Sequence, residues 1–220
     1  MTGTNAAHVD LVRHRWPTTA PYQQLRSLAP SLPDDDHFVL TSNVDAMFER
    51  NGFDPSRIHT PQGDYALMQC TTPCTREVWE WKDQLDAIRA ATDPETQRTS
   101  IDLVPRCPNC GEQAWINVRI DRSFIDDHFA PTAEALGAWV DAHADANTVI
   151  VEIGAGYNTP GVIRMPGERL TDHFSKLEAH SHQPRSGRGS RRTRGASDRT
   201  SARRGARDCP PCRRLSLRVS

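Results

Sequence analysis

The sequence predicts an α/β protein: a mostly parallel sheet with a small metal-stapled lobe set into it. Three observations carry that expectation. Apolar runs of strand length alternate with stretches of helical periodicity, four cysteines fall in two close pairs, and the composition changes abruptly near residue 176.

Taken in order, residues 1–37 are polar and punctuated by prolines, with one short helix expected near PYQQLRSLA. HFVLT (37–41) reads as a buried strand. In NVDAMFERNG, Asn43 is placed to cap a helix that Gly52 ends. TREVWEWKDQLDAIRAA (75–91) spaces Val78, Trp81, Leu85 and Ile88 by three or four, one face of a helix. WINVRI reads as a strand, APTAEALGAWVDAHA (130–144) as a helix entered through Pro131, and NTVIVEIGAG (147–156) as a buried strand running into a glycine turn. Strands separated by helices imply parallel pairing, and ligands of such sheets sit outside the carboxyl ends of the strands. TSNVD and GAGYNTP both fall at such ends.

The net charge of −1 hides a split. Lys176 and twelve arginines face only Glu178, Asp198 and Asp208 in residues 176–220, a net charge of about +10, so the remainder carries about −11. No run of about 18 apolar residues is long enough to cross a bilayer, and the N-terminus lacks an apolar signal core. A cytoplasmic location without membrane contact is expected, and there six cysteines serve as metal ligands or free thiols sooner than as disulfides. Cys70-x3-Cys74 and Cys107-x2-Cys110 are knuckle-like pairs about 35 residues apart, tightened by Pro73 and Pro108. Four thiolates at these spacings suit tetrahedral zinc, and a site filled by sulfur leaves no position for a reacting water. The expected metal is therefore a staple, and the chemistry lies elsewhere.

FVLTSNVDAMFERNGF, then TPQGDY, the paired cysteines, VRIDRSF and VIVEIGAGYNTPGVIRMP follow one another in an order that resembles the sirtuins, over roughly residues 15–173. The likeness is strongest to the macrodomain-linked class M branch, where TQGDYG, the x3 cysteine pair and GxNTPG recur. Sirtuins are protein deacylases and ADP-ribosyltransferases that consume NAD. The resemblance implies a Rossmann-like sheet in two parts (1–69 and 115–174), a zinc-ribbon lobe at 70–114, and a disordered basic tail at 175–220. It also implies that Asn43 holds the nicotinamide ribose or an ordered water, and that Asp45 accepts from the nicotinamide amide. Ser42, Gly154, Gly156 and Asn158 complete the expected NAD-binding set. Where ordinary deacylases carry the histidine that activates a ribose hydroxyl, this chain has Gln62. An amide does not titrate near neutrality and cannot supply the roughly 10²–10⁴-fold of a general base. Transfer of ADP-ribose to an already ionised acceptor such as a carboxylate needs none. His59, three residues upstream, is expected to be an ordinary surface or packing histidine.

Two departures qualify the expectation. The strand and GAGxS turn that open a sirtuin have no counterpart in residues 1–36, so the sheet is expected to lack a central strand and the NAD pocket a phosphate wall. Beyond GVIRMPGERLTDHF the expected strand ending in Ile-Asn is also missing. One allowed codon set for Ala179 to Gly189, read one base on, gives LIRINRDQAE, which leads to the expectation of a frameshift near residues 174–179. Arginine-rich tails bind nucleic acid through phosphate contacts, but out-of-frame GC-rich DNA yields the same composition, and no nucleic-acid partner is expected. Cys209-Pro-Pro-Cys212 is read as incidental. The function expected is protein ADP-ribosyl transfer, with a lipoylated carrier protein as the acceptor the class M likeness implies. The alternatives are protein deacylation and a catalytically inactive zinc-binding remnant.

Overall fold

The computed structural model describes residues 3–28, 36–154, 161–174, 177–182 and 214–219. The helices are α1 (Gly3–Val9), α2 (Ala20–Leu28), α3 (Met47–Arg50), α4 (Lys82–Ala90), α5 (Ala130–Ala142) and α6 (Arg164–His173). The strands are β1 (His37–Thr41), β2 (Ile58–His59), β3 (Gly63–Cys70), β4 (Trp79–Glu80), β5 (Ala114–Val118), β6 (Thr148–Ile153), β7 (Leu177–His182) and β8 (Arg214–Val219). Among the described residues these form one five-stranded sheet in the order β2-β1-β8-β6-β7, with every pair parallel, and one antiparallel sheet in the order β4-β3-β5.

The parallel sheet lies between two helical layers, which explains why β1 reads as a buried run: all five of its residues are buried. Side chains alternate across a strand, and Phe38 with Ile150 packs toward Trp139, Val140 and Phe174, whereas Val39 packs toward Leu25, Phe48, Phe53 and Ile58. Each such fully buried side chain stabilises the fold by about 1.5–3 kcal/mol. The antiparallel sheet has its own core, in which Ala6 and Val9 of α1 and Leu85 and Ile88 of α4 enclose Met68.

α5 begins with Pro131 in its first turn, as its sequence predicts. Other elements depart from expectation. The helix expected over 75–91 starts only at Lys82, because Met68 and Leu67 draw Trp79 and Glu80 into β4 and the Trp81 Nε1 donates to the Tyr65 carbonyl at 2.9 Å. α3 is a single turn, and its first N–H is held by Asp45 rather than Asn43. Gly52 follows it with φ +84°, the left-handed conformation expected of a helix terminator. Before α2 the chain forms α1 and a π-helical segment, Asp10–Arg15, where the class M likeness implies helical structure over residues 8–30.

The basic tail departs most. Residues 177–182 and 214–219, expected to be disordered, form β7 beside β6 and β8 between β1 and β6. The sheet therefore has no gap at its centre: Val219 stands in register with Thr41 on one side and Ile153 on the other. The rest of the tail, with the Cys209/Cys212 pair, lies outside the described residues. No described helix is long and apolar enough to cross a membrane.

Candidate active site and metal centre

The four cysteines expected to bind metal converge. Cys70 ends β3, Cys74 follows in the next turn, and Cys107 and Cys110 flank a knuckle closed by hydrogen bonds from Gly111 N to Cys107 O (2.9 Å) and from Cys107 N to Glu112 O (2.7 Å). All four sulfurs lie within 4.8 Å of one another, with Cys70 and Cys110 at 3.7 Å and Cys74 and Cys107 at 3.6 Å. A tetrahedral zinc with bonds of about 2.3 Å has sulfur–sulfur edges of about 3.8 Å, so the donor set and its spacing fit that ion. Asn109 Nδ2 donates to Cys74 Sγ at 3.2 Å, the kind of outer contact that orients a ligand. Burial opposes ionisation of Cys107, but hydrogen bonds from the Cys110 and Asn109 N–H groups outweigh it and bring its thiol down to about 7. Cys110, despite the Glu112 N–H beside it, is pushed up to about 12 by the neighbouring thiols, Cys74 first.

At the far end of β3, residues 60–63 make a turn in which Gly63 N donates to Thr60 O at 3.3 Å. Pro at the second and Gly at the fourth position suit it. Gly63 has φ +114°, and a Cβ there would lie 2.0 Å from the Asn117 carbonyl oxygen on β5, so no other residue fits without displacing backbone. Past the turn, the register of β3 on β5 jumps between Asp64 and Met68. The backbone groups this frees are used elsewhere: Tyr65 N donates to Val44 O at 3.1 Å and Ala66 N to Asp64 Oδ1 at 2.7 Å. The irregularity thus ties the 42–45 loop to the turn that carries Gln62.

Arg13 secures the same junction. Its Nε and Nη2 grip the two carboxylate oxygens of Asp64 at 2.7 and 3.0 Å, with both side chains less than a quarter exposed. Asn43 lies in the loop as expected but is engaged locally, its N–H donating to Thr41 Oγ1 at 3.1 Å and its Nδ2 to the Tyr22 hydroxyl at 3.2 Å. Asp45 accepts from Met47 N at 3.0 Å and borders a cavity of about 240 Å³ with Trp16 and Tyr22. Burial raises the Asp45 carboxyl above its ordinary value, and burial first, then Asp45, pushes the Tyr22 phenol up to about 12. Ser42 is half-buried in this loop. Gly154 follows β6 with φ +72°, whereas Gly156 and Asn158 lie outside the described residues.

Gln62 itself lines a cavity of about 450 Å³ with Leu40, His59, Pro61, Arg119 and Val162. A second cavity of about 290 Å³ shares His59, Pro61 and Arg119 and is bordered by Asp126 and Asp127. Arg119 organises this wall. Its N–H donates to Gln62 O at 2.9 Å, its Nε to Pro61 O at 3.1 Å and its Nη2 to Asp126 at 2.9 Å, while the guanidinium lies 4.4 Å from the centre of the Phe124 ring. Arg76 holds Asp127 with Nε at 2.7 Å. The structure therefore brings Gln62 together with His59 and Arg119, and the 42–45 loop together with Tyr22 and Arg13. Arg13, Tyr22 and Thr132 have no sequence signal, because their partners Asp64, Asn43 and His59 are distant along the chain, whereas Arg119 lies in the VRIDRSF motif. His59 had one, its closeness to Gln62.

No protein-family model matches the chain. Over 169 residues it is 34% identical to a probable bifunctional ADP-ribose hydrolase/ADP-ribosyltransferase of Fusarium oxysporum f. sp. cubense, a match that covers 74% of this chain and 28% of that protein. Over 157 residues it is 26% identical to a protein ADP-ribosyltransferase of Staphylococcus aureus (strain Mu50 / ATCC 700699), covering 70% of this chain and 48% of that one. The chain spans less than half the length of these curated relatives. Its likeness to named proteins is thus a likeness to ADP-ribosyltransferases, carried by 70% or more of its residues.

Proposed function

We propose that the chain is the catalytic portion of a protein ADP-ribosyltransferase of sirtuin type that consumes NAD, with zinc as a structural staple. The observation that carries this reading is the place of Gln62. It stands on the wall of the 450 Å³ cavity, at the turn after β2, where a deacylase of this type needs a titrating base. In the transfer, the bond between nicotinamide and the ribose C1′ breaks with its electron pair leaving on the nicotinamide nitrogen, and an acceptor atom bonds to C1′. Gln62 can orient ribose or water by hydrogen bonds without taking a proton. Asn43 and Asp45 would hold the ribose and the carboxamide, and Ser42, Gly154, Gly156 and Asn158 the remaining ribose and phosphates. The names of the two similar proteins support transfer over deacylation.

The test is calorimetric titration with NAD, followed by transfer from labelled NAD to a protein acceptor, with a lipoylated carrier protein as first choice. Removal of acetyl groups from peptides at ordinary sirtuin rates would refute the reading. One observation favours a second reading, a zinc-binding chain without activity: the Asn43 Nδ2 that NAD would meet already donates one of its hydrogens to the Tyr22 hydroxyl. Absence of any heat of NAD binding from zinc-loaded protein would establish that alternative.

A further inference from the structure

In the antiparallel sheet, β5 has a strand neighbour on one side only among the described residues. The bonds at its two ends fix which backbone groups face that neighbour. Thr71 N donates to Gln113 O at 3.1 Å and Arg119 N to Gln62 O at 2.9 Å, so the odd-numbered residues from 113 to 119 turn their N–H and C=O toward β3. Alternate residues of a regular strand turn these groups to opposite sides, so Ala114, Ile116 and Val118 turn theirs outward. The chain entering the second knuckle takes the start of this outer edge: Ala114 N donates to Pro105 O at 2.9 Å, and Arg106 bridges to Gln113. Pairing stops there because Pro105 has no N–H to return to the Ala114 carbonyl. Beyond it, the outward N–H and C=O of Ile116 and Val118 have no partner among the described residues.

A cavity of about 330 Å³ adjoins this open stretch, lined by Gln69, Trp115, Val118, Ile120, Asp121 and Phe124 among others. Gln69 and Trp115 stand in register and alternate with Met68 and Ala114, so this face of the sheet is turned away from the core under α1 and α4. The cavity shares no residue with the two beside Gln62. Ile120 is 68% exposed, a large apolar side chain left in water at its wall. Of the lining residues only Asp121 is charged. The Ser123 hydroxyl and then its N–H, at 2.6 and 2.8 Å, hold the Asp121 carboxyl below its ordinary value, so it stays ionised at neutral pH.

Open edges invite pairing, and proteins blunt them with short strands, charges, proline or a covering helix. Two other edges of this fold follow that practice. β4 is two residues long, with Glu80 in it and Lys82 close behind, and β2 is also two residues long and lies against α5, whose Thr132 Oγ1 is 3.0 Å from His59 Nδ1. β5 is longer and carries neither charge nor proline. We propose that the outer edge of β5 is a docking site for an extended segment of a partner protein, which pairs with Ile116 and Val118, sets an apolar side chain into the 330 Å³ cavity and brings a basic one to Asp121. The inference goes beyond the transferase reading and does not depend on it. Backbone pairing supplies the attraction, and the alternate side chains supply the selectivity. A segment carried past Val118 runs alongside Arg119, so docking and the proposed chemistry adjoin without sharing a lining residue.

The experiment uses the full zinc-loaded chain and the capped peptide Thr-Val-Thr-Phe-Thr-Lys-Thr, which puts its apolar and basic side chains on one face when extended. In the free chain, amide exchange followed by NMR should be fast at Ile116 and Val118 and slow at Trp115 and Asn117. Saturating peptide should slow Ile116 and Val118 by about tenfold or more. Of two peptides N-methylated on alternate residues in opposite phase, one should lose binding and the other keep it, because only every second N–H faces β5. Val118→Pro removes an N–H that lies outside the β3 ladder and should weaken binding by about tenfold. Ile120→Ser should weaken it by about 3–10-fold, and Asp121→Asn should remove most of its salt dependence. Ile120 and Asp121 are exposed, so these two variants keep the fold even where Val118→Pro does not. Slow exchange at Ile116 and Val118 in the free chain, no added protection from the peptide, or binding indifferent to Ile120→Ser and to the phase of methylation would each overturn the proposal. Protection that rises with chain concentration in the absence of peptide would overturn it as well, because the occupant would then be a second copy of this chain.

Discussion

Replacing Gly63 by alanine tests whether the Gln62 turn is held by backbone fit. The added Cβ would sit 2.0 Å from the Asn117 carbonyl oxygen and 2.9 Å from the Val118 Cα, and contacts under 3.0 Å are essentially never found in folded proteins. The turn must retreat by about 1 Å to relieve the shorter contact. That retreat breaks the first pairs of the β3–β5 ladder, Gly63 with Val118 and Asp64 with Asn117. Two ladder hydrogen bonds contribute about 0.5–1.5 kcal/mol each. Holding alanine at φ +114° adds about 1–3 kcal/mol. The substitution should therefore cost about 2–6 kcal/mol, a large share of the 5–15 kcal/mol typical of a domain. Urea unfolding followed by tryptophan fluorescence measures it. A cost under about 1 kcal/mol, with the denaturant slope unchanged, would show that the turn yields freely and that its position beside β5 is not what holds Gln62 in place.

Elemental analysis should find one zinc per chain, and Cys74→Ser should lower the metal content and the thermal midpoint together, because the free energy of metal binding adds to that of folding. Zinc affinity should fall as pH falls, since thiols must lose protons to bind. Arg13→Lys keeps the charge but replaces a two-point grip on Asp64 by a single one, and should cost about 1 kcal/mol by the same unfolding assay. Deleting residues 214–219 would open two unpaired edges, on β1 and β6, and should yield chains that associate by light scattering at concentrations where the intact chain does not.

The convergence of the four cysteines was legible because its chemistry is local: two cysteine pairs and turn-forming prolines define the knuckles whatever the rest of the chain does. β1 and α5 were legible for the same kind of reason, an apolar run of strand length in one and Pro131 ahead of a helical period in the other. Asn43 was misread as a helix cap. The helix starts only at Met47, which puts Asp45, not Asn43, within reach of its first N–H. The helix over 75–91 was overextended because periodicity cannot reveal that β3 will pair with Trp79 and Glu80. The grip of Arg13 on Asp64 spans 51 positions, and no local pattern encodes it. β8 did carry a faint signal: Leu215, Leu217 and Val219 alternate with Ser216 and Arg218, a strand period obscured by the arginine-rich residues before it.

The four-cysteine cluster and the proposed catalytic cleft are two ends of one ladder. β3 runs from Gly63 beside Gln62 to Cys70 of the cysteine cluster, and β5 runs back from Ala114, just past the second knuckle, to Val118, one residue before Arg119. In register Cys70 faces Ala114 at one end and Gly63 faces Val118 at the other. Eight residues of strand place these ends about 23 Å apart. A thiol-bound ion at that distance cannot polarise a bond in the cleft, but it can hold the two strands in one register. In this ladder a slip of one residue would turn Gln69 and Asn117 away from the buried hydrogen bond of 2.8 Å that joins them. The Gln62 carbonyl would also lose the Arg119 N–H that positions it. Register, not electrostatics, is therefore how an ion held by the four thiols would act on the Gln62 turn and the His59 wall, through a ladder interrupted by a bulge.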